Sequence, residues 1–214
     1  MRLEGDFAAS GYALVRGMVS AEIGRALLHG VVFDLEQAEV PLDFFVQKTV
    51  LGDTRTLELY GHDYKPINAF LWGMTPAVAA LLGRDLLPSY GYLRVYRRGD
   101  TCFVHTDRPA CEFSMSLTLA YSDDLPWALE IGAEPVAVRP PVARDFGDSP
   151  HVATMMEAGD AVLYMGTQRL HGRVTPNPNR WSAHLFLHWV ERDGPCSGHA
   201  FDEKGPPEAI DMAY

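Results

Sequence analysis

The sequence predicts a mainly β protein, a sandwich or barrel with helices packed in its N-terminal part. Residues after Pro88 alternate with strand period, in runs separated by Pro and Gly turns, whereas the stretches before Pro88 carry helix caps and helical spacing. In chain order, Ser20 caps a helix that continues through Leu27, Leu28, Val31, Val32 and Leu35, with Glu22 near its positive end. Tyr60 to Asn68 is aromatic and polar and reads as a loop. Thr75-Pro76 opens a second helix, because proline in a first turn forfeits no useful hydrogen bond, and Leu86-Leu87-Pro88 closes it. Tyr90, Tyr92, Arg94 and Tyr96 then alternate with Gly91, Leu93, Val95 and Arg97. Phe113 to Ala120 sets Ser114, Ser116 and Thr118 against Phe113, Met115, Leu117 and Leu119. Ala161 to Met165 is a short apolar run after the turn Ala158-Gly159-Asp160. Trp181 to Trp189 places Ala183, Leu185 and Leu187 on one face, and Ser182, His184, Phe186 and His188 on the other. Pro135 to Pro150, with four prolines, reads as a long loop. With no repeat or linker in view, the expectation is one domain over 1–214: a helical part to about residue 88, a β core over 89–190 and a tail over 191–214.

Composition narrows the function classes. The 214 residues are 47% hydrophobic and 21% charged, enough to bury a core without staples. The net charge is −10 with no basic block, which argues against nucleic acid as a partner. Three cysteines, Cys102, Cys111 and Cys196, are too few for a disulfide framework and suit a reducing compartment; Cys102 and Cys111 read as small buried hydrophobes. Met1 to Asp6 carries two acids where a signal peptide wants a basic start. The uncharged stretch Pro66 to Gly83 contains Asn68, Gly73, Thr75 and Pro76, which fit a capped helix better than a membrane span. A cytoplasmic protein with no membrane partner is expected.

Chemistry enters at His105-Thr106-Asp107. With 8 His and 16 Asp in 214 residues, chance supplies about 8 × 16 / 214 ≈ 0.6 such spacings, so the pair alone says little. Residues two apart on a strand share a face, however, and His171 follows the strand-like run Asp160 to Met165. Two imidazoles and a carboxylate make the facial triad that suits non-haem Fe(II), with positions left open for a co-substrate and O₂. Nine residues after His171, Arg180 and Ser182 share strand parity and offer a guanidinium and a hydroxyl to one carboxylate, which the Tyr96 phenol could also reach. His62-Asp63-Tyr64 points its side chains oppositely and reads as surface loop.

On these residues the sequence resembles the Fe(II)/2-oxoglutarate-dependent oxygenases. Tyr96-Arg97-Arg98-Gly99 leading into His105-x-Asp107 is similar to prolyl 4-hydroxylases, and His171 followed by Arg180-x-Ser182 to the isopenicillin N synthase group. Gly11 to Gly17 with Ser20-Ala21-Glu22 resembles phytanoyl-CoA-hydroxylase-like members, and His105 to Glu112 a group acting on free amino acids and related metabolites. The resemblance implies a double-stranded β-helix, that is a jelly-roll, cupin-like barrel. It implies an oxidoreductase, a dioxygenase with Fe(II) as metal and 2-oxoglutarate and O₂ as co-substrates, releasing succinate and CO₂. Iron would lie on His105, Asp107 and His171, and the distal carboxylate on Arg180, Ser182 and Tyr96. Cys102 stands where prolyl hydroxylases carry Tyr, which weakens a peptidyl-proline reading. The expected reaction is hydroxylation of a small polar metabolite, a free amino acid or carboxylate-bearing derivative, with Arg94, Arg108, His184 and Glu112 as substrate candidates. Two alternatives stand beside it: a protein or nucleic-acid side-chain hydroxylase or demethylase of the same fold, and a non-catalytic cupin-like barrel holding a metal or ligand.

Overall fold

The computed structural model describes residues 1–203. Twelve strands among the described residues form two antiparallel sheets. The larger runs β1 (Arg2–Glu4), β2 (Tyr12–Arg16), β10 (Ala161–Tyr164), β7 (Phe113–Tyr121), β12 (Trp181–Glu191), β5 (Leu86–Arg97), β4 (Arg55–Tyr60) and β3 (Val46–Lys48) in spatial order, and the short helix α1 (Phe7–Ser10) joins β1 to β2. The smaller runs β6 (Cys102–His105), β11 (Arg169–Arg173), β8 (Trp127–Pro135) and β9 (His151–Met156). Strands β5 to β12 pass between the sheets, with β8 and β9 staying together in the smaller one, in the order of a double-stranded β-helix, so the barrel expectation holds.

The alternation read in β5, β7 and β12 has a structural cause: both faces of the larger sheet are covered, by different chemistry. Leu93, Met115, Leu117, Leu119, Ala183, Leu185, Leu187 and Trp189 face an apolar core shared with Val31 and Leu35 of helix α2 (Ala21–Gln37) and Ile67, Leu71 and Val78 of helix α3 (Lys65–Leu82). The other face carries Tyr96, Phe186, Ser182 and His184 into the barrel. Ser20 caps α2 as expected, its side chain accepting from the Ile23 N–H.

Three boundaries differ from the sequence expectation. The N-terminal part is not only helical: β1 and β2 extend one edge of the larger sheet and β3 and β4 the other. Helix α3 begins at Lys65, within the expected loop, and passes through Pro76 rather than starting there. Its apolar face carries it across: Ile67, Leu71 and Val78 stay buried on the sheet while Pro76 lies on the exposed side. Thr75 Oγ donates to the Leu71 carbonyl and accepts from the Trp189 indole, which adds further tethers at that turn. The helix ends at Gly83 in the left-handed region, so Leu86-Leu87-Pro88 opens β5 instead of closing α3, with Pro88 opposite the register shift in β12 between Leu187 and Trp189. Between β8 and β9 the Pro-rich segment is largely irregular, touching the barrel through a Val104–Ala143 bridge. Of the expected tail, Glu191 is still β12, and 204–214 lies outside the described residues.

Helix α2 packs so closely on β7 that a Cβ at Gly24 would stand 2.4 Å from the Leu119 carbonyl oxygen. Gly24→Ala is therefore expected to cost about 3 kcal/mol in urea denaturation, since backbone on both sides must move. Gly30→Ala, whose Cβ meets only the Tyr64 hydroxyl at 3.8 Å, should be neutral or stabilising by up to about 1 kcal/mol.

Candidate active site

His105 ends β6 and His171 sits mid-β11, and the ladder pairs them directly. Their ring centroids are 4.3 Å apart. Each Nδ1 faces a main-chain carbonyl two residues upstream, at 2.7 Å for His105 to Phe103 and 2.9 Å for His171 to Arg169. A carbonyl only accepts, so Nδ1 carries the proton and Nε2 is left as an open lone pair on both rings. Asp107 lies just beyond β6, not on it as strand spacing suggests, and its N–H donates to the Gly166 carbonyl at 2.8 Å. That turn aims Asp107 Oδ1 at both imidazoles, 3.6 Å from His105 Nε2 and 3.4 Å from His171 Nε2.

The other carboxylate oxygen is anchored. Ser114 Oγ donates to Asp107 Oδ2 at 2.9 Å and contacts His188 Nδ1 at 2.9 Å. Having one proton, which goes to Asp107, the hydroxyl accepts from His188 and leaves the buried His188 Nε2 without a partner. A Cβ at Gly166 would stand 2.4 Å from Asp107 Oδ2 and 2.6 Å from Ser114 Oγ, so only glycine fits against this chain.

The triad opens on a cavity also lined by Tyr92, Arg94, Tyr96, Arg173 and Phe186. The expected co-substrate residues divide. Ser182 and Tyr96 are buried and paired across β12 and β5, with the Ser182 hydroxyl unpartnered and the Tyr96 hydroxyl accepting from Arg94 at 3.1 Å. Arg180 is not brought to them: it is exposed, one residue before β12, its N–H held by Asp123 and its carbonyl by the Arg98 N–H. Of the substrate candidates, Arg94 is buried and paired with Glu58 at 2.5 Å, and Glu112 accepts from the Glu191 N–H at 2.8 Å. His184 lies deep in the barrel against Tyr96, Tyr121 and Trp127. Arg108 stands at the surface beside Asp107, its guanidinium 4.4 Å from the Tyr90 ring centroid. The sequence reading missed Ser114, Glu58 and Arg173; for Arg173 the signal was present, as it has the strand parity of His171.

No protein-family model matches the chain, and no curated protein matches it. Among solved structures it is similar to SnoN, the non-haem α-ketoglutarate-dependent epimerase from nogalamycin biosynthesis. That match has 14% identity over 97% of this chain and 90% of the other, with a TM-score of 0.63. HygX from Streptomyces hygroscopicus, solved with nickel and 2-oxoglutarate, gives 10% identity, 87% and 85% coverage and a TM-score of 0.60. EctD from S. alaskensis, solved with 2-oxoglutarate and 5-hydroxyectoine, gives 15%, 86%, 73% and 0.57. The chain has the fold of the 2-oxoglutarate-dependent oxygenases.

Within this oxygenase fold the buried site sets its own protonation. Burial, with the His171 imidazole alongside, pushes His105 down to about 3. Burial acts to raise the Asp107 carboxyl, but His171 and His105 outweigh it and hold it well below the usual carboxylate range. His171 is lowered by burial and raised more by Asp107, for a net upward shift. Burial also takes His188 down to about 4 and His184 well below an ordinary imidazole. For His105, His184 and His188 the unfolded chain takes up protons near pH 6.5 that the folded chain refuses, so stability falls as pH falls through that value. His171 is protonated in both states below 6.5 and adds no slope there. Metal-free protein should therefore lose up to about 4 kcal/mol per pH unit below pH 6. Thermal denaturation in chelator between pH 7 and 5 checks this, and a flat melting temperature would contradict it.

Proposed function

We propose that the chain is a single-domain, cytoplasmic, non-haem Fe(II)/2-oxoglutarate-dependent dioxygenase that hydroxylates a small polar metabolite bearing a carboxylate. The observation that carries the reading is the convergence of His105 Nε2, His171 Nε2 and Asp107 Oδ1, with all three side chains oriented by hydrogen bonds at their far atoms. The donor set fits the metal: two neutral imidazoles and one ionised carboxylate suit Fe(II) and leave one side open. Three ligands about 2.1 Å from an ion and at right angles lie roughly 3 Å apart, close to the separations of 3.4 and 3.6 Å here. Iron bound there would let O₂ react with 2-oxoglutarate and substrate, giving succinate, CO₂ and the hydroxylated product. The free cysteines, Cys102 and Cys111 buried, are consistent with a reducing compartment.

The protein's part is orientation and exclusion of water. Ser114 and Gly166 hold Asp107 so that one oxygen faces the imidazoles. Tyr90, Tyr92 and His188 build an aromatic wall beside the triad, with centroid separations of 4.7 Å for Tyr90–His188 and 6.2 Å for Tyr90–Tyr92. Arg108, its guanidinium over the Tyr90 ring of that wall, would be the planar cation that meets a substrate carboxylate. A small substrate is supported by EctD, whose structure holds 5-hydroxyectoine.

The test is anaerobic titration of Fe(II)-loaded protein with 2-oxoglutarate, read by its visible metal-to-ligand charge-transfer band. The band should appear in the wild type and vanish in His171→Ala, together with succinate release. A wild type without the band, or a His171→Ala variant that keeps it, would sink the reading. For the substrate side, free amino acids should drive succinate release better than their amides, and Arg108→Ala should reduce that preference by about tenfold or more. Equal turnover of acids and amides by the wild type would contradict the carboxylate anchor.

A further inference from the structure

Arg173 is a cation buried inside the barrel with no anion beside it. It is 1% exposed, and among the described residues no carboxylate lies within 4.0 Å of its guanidinium. An unpaired buried charge is costly, so a site that keeps one is built for a partner that arrives. The group is also held rigidly: Nη1 donates to the carbonyls of Trp127 at 3.0 Å and Ala128 at 2.8 Å, and the Trp127 ring centroid lies 4.6 Å away. Nη2 reaches Ser116 Oγ at 3.4 Å and His184 Nδ1 at 3.3 Å, while Nε has no partner.

A second, independent observation points the same way. Ser182 Oγ and His184 Nε2 are also buried without partners. His184 Nδ1 accepts from Arg173, so its proton sits on Nε2 and makes that atom a further unused donor. Unpartnered donors of this kind call for an acceptor-rich ligand. Arg94 offers a second buried guanidinium, but Glu58 already neutralises it.

Position decides which anion. Arg173 lies two residues beyond His171 on β11 and lines the same cavity as the triad. Building on the 2-oxoglutarate reading above, we propose that Arg173, and not Arg180, receives the distal carboxylate of the keto acid, with Ser182 and His184 as supporting donors. The keto-acid end would face His105, Asp107 and His171, and the exposed Arg180 would take no part.

Pyruvate supplies the test, since it has the 2-oxo acid end of 2-oxoglutarate and lacks the distal carboxylate. Anaerobic Fe(II) protein is titrated with each compound, following the charge-transfer band, with thermal melts to establish folding. The wild type should prefer 2-oxoglutarate by about 100-fold, the value of a bidentate charged contact. Arg173→Gln should lose most of that preference while pyruvate binding is unchanged, and Arg180→Gln should match the wild type. Arg173→Lys, which keeps the charge without the planar fork, should fall between and serves if the Gln variant does not fold. An undiminished preference in Arg173→Gln or Arg173→Lys, or its loss in Arg180→Gln, overturns the assignment of the carboxylate to Arg173. A wild type that gives no band with either compound instead overturns the enzymatic reading on which it rests.

Discussion

The pairing of β6 with β11 sets His105 directly opposite His171, and the site depends on that register. A slip of one residue would turn one imidazole out of the barrel, because strand side chains alternate between faces. Strand β6 is only four residues long and lies at the edge of the smaller sheet, a place where register is easily lost. Its free side is held from outside the sheet. Val104 exchanges both main-chain hydrogen bonds with Ala143, at 2.7 and 2.9 Å, and the Phe103 N–H donates to Leu51 at 2.8 Å. The Pro-rich segment between β8 and β9 thus has a mechanical role, clamping the strand that carries His105.

Around this ladder, buried polar groups divide into those already satisfied and those left waiting. Glu58 accepts from Arg94, Gln47 and Tyr60, which neutralises the Arg94 guanidinium although its Nε has no partner. His188, Ser114 and Asp107 form a chain that ends in one fixed carboxylate oxygen. Against these, the open atoms of Arg173, Ser182 and His184 gather on the inner faces of β11 and β12. A folded protein leaves few buried polar groups unpaired, and of these three residues Arg173 lines the same cavity as the triad.

Much of the larger sheet was legible because its strands carry two kinds of cover. Apolar residues of β5, β7 and β12 face the helices and polar or aromatic ones face the barrel, which writes period two into the sequence. The smaller sheet gave little signal: β9 is largely exposed and β11, Arg169-Leu170-His171-Gly172-Arg173, mixes charges and glycine. Pro76 misled the reading of α3 because tertiary packing on Ile67, Leu71 and Val78 outweighed a local break. The triad was readable from residue type and spacing. For the expected co-substrate residues, Arg180 and Ser182 share parity, but nothing in Pro176 to Asn179 reveals that the strand begins only at Trp181 and leaves Arg180 exposed.

The central claim, that His105, Asp107 and His171 hold one metal ion, is most directly tested by anomalous diffraction from crystals grown with Mn(II) and 2-oxoglutarate. The account predicts a single strong anomalous peak between His105 Nε2, Asp107 Oδ1 and His171 Nε2. Asp107, Cys111 and His188 also converge and offer a rival set of donors. A peak on that set, or none within reach of His105 and His171, would contradict it.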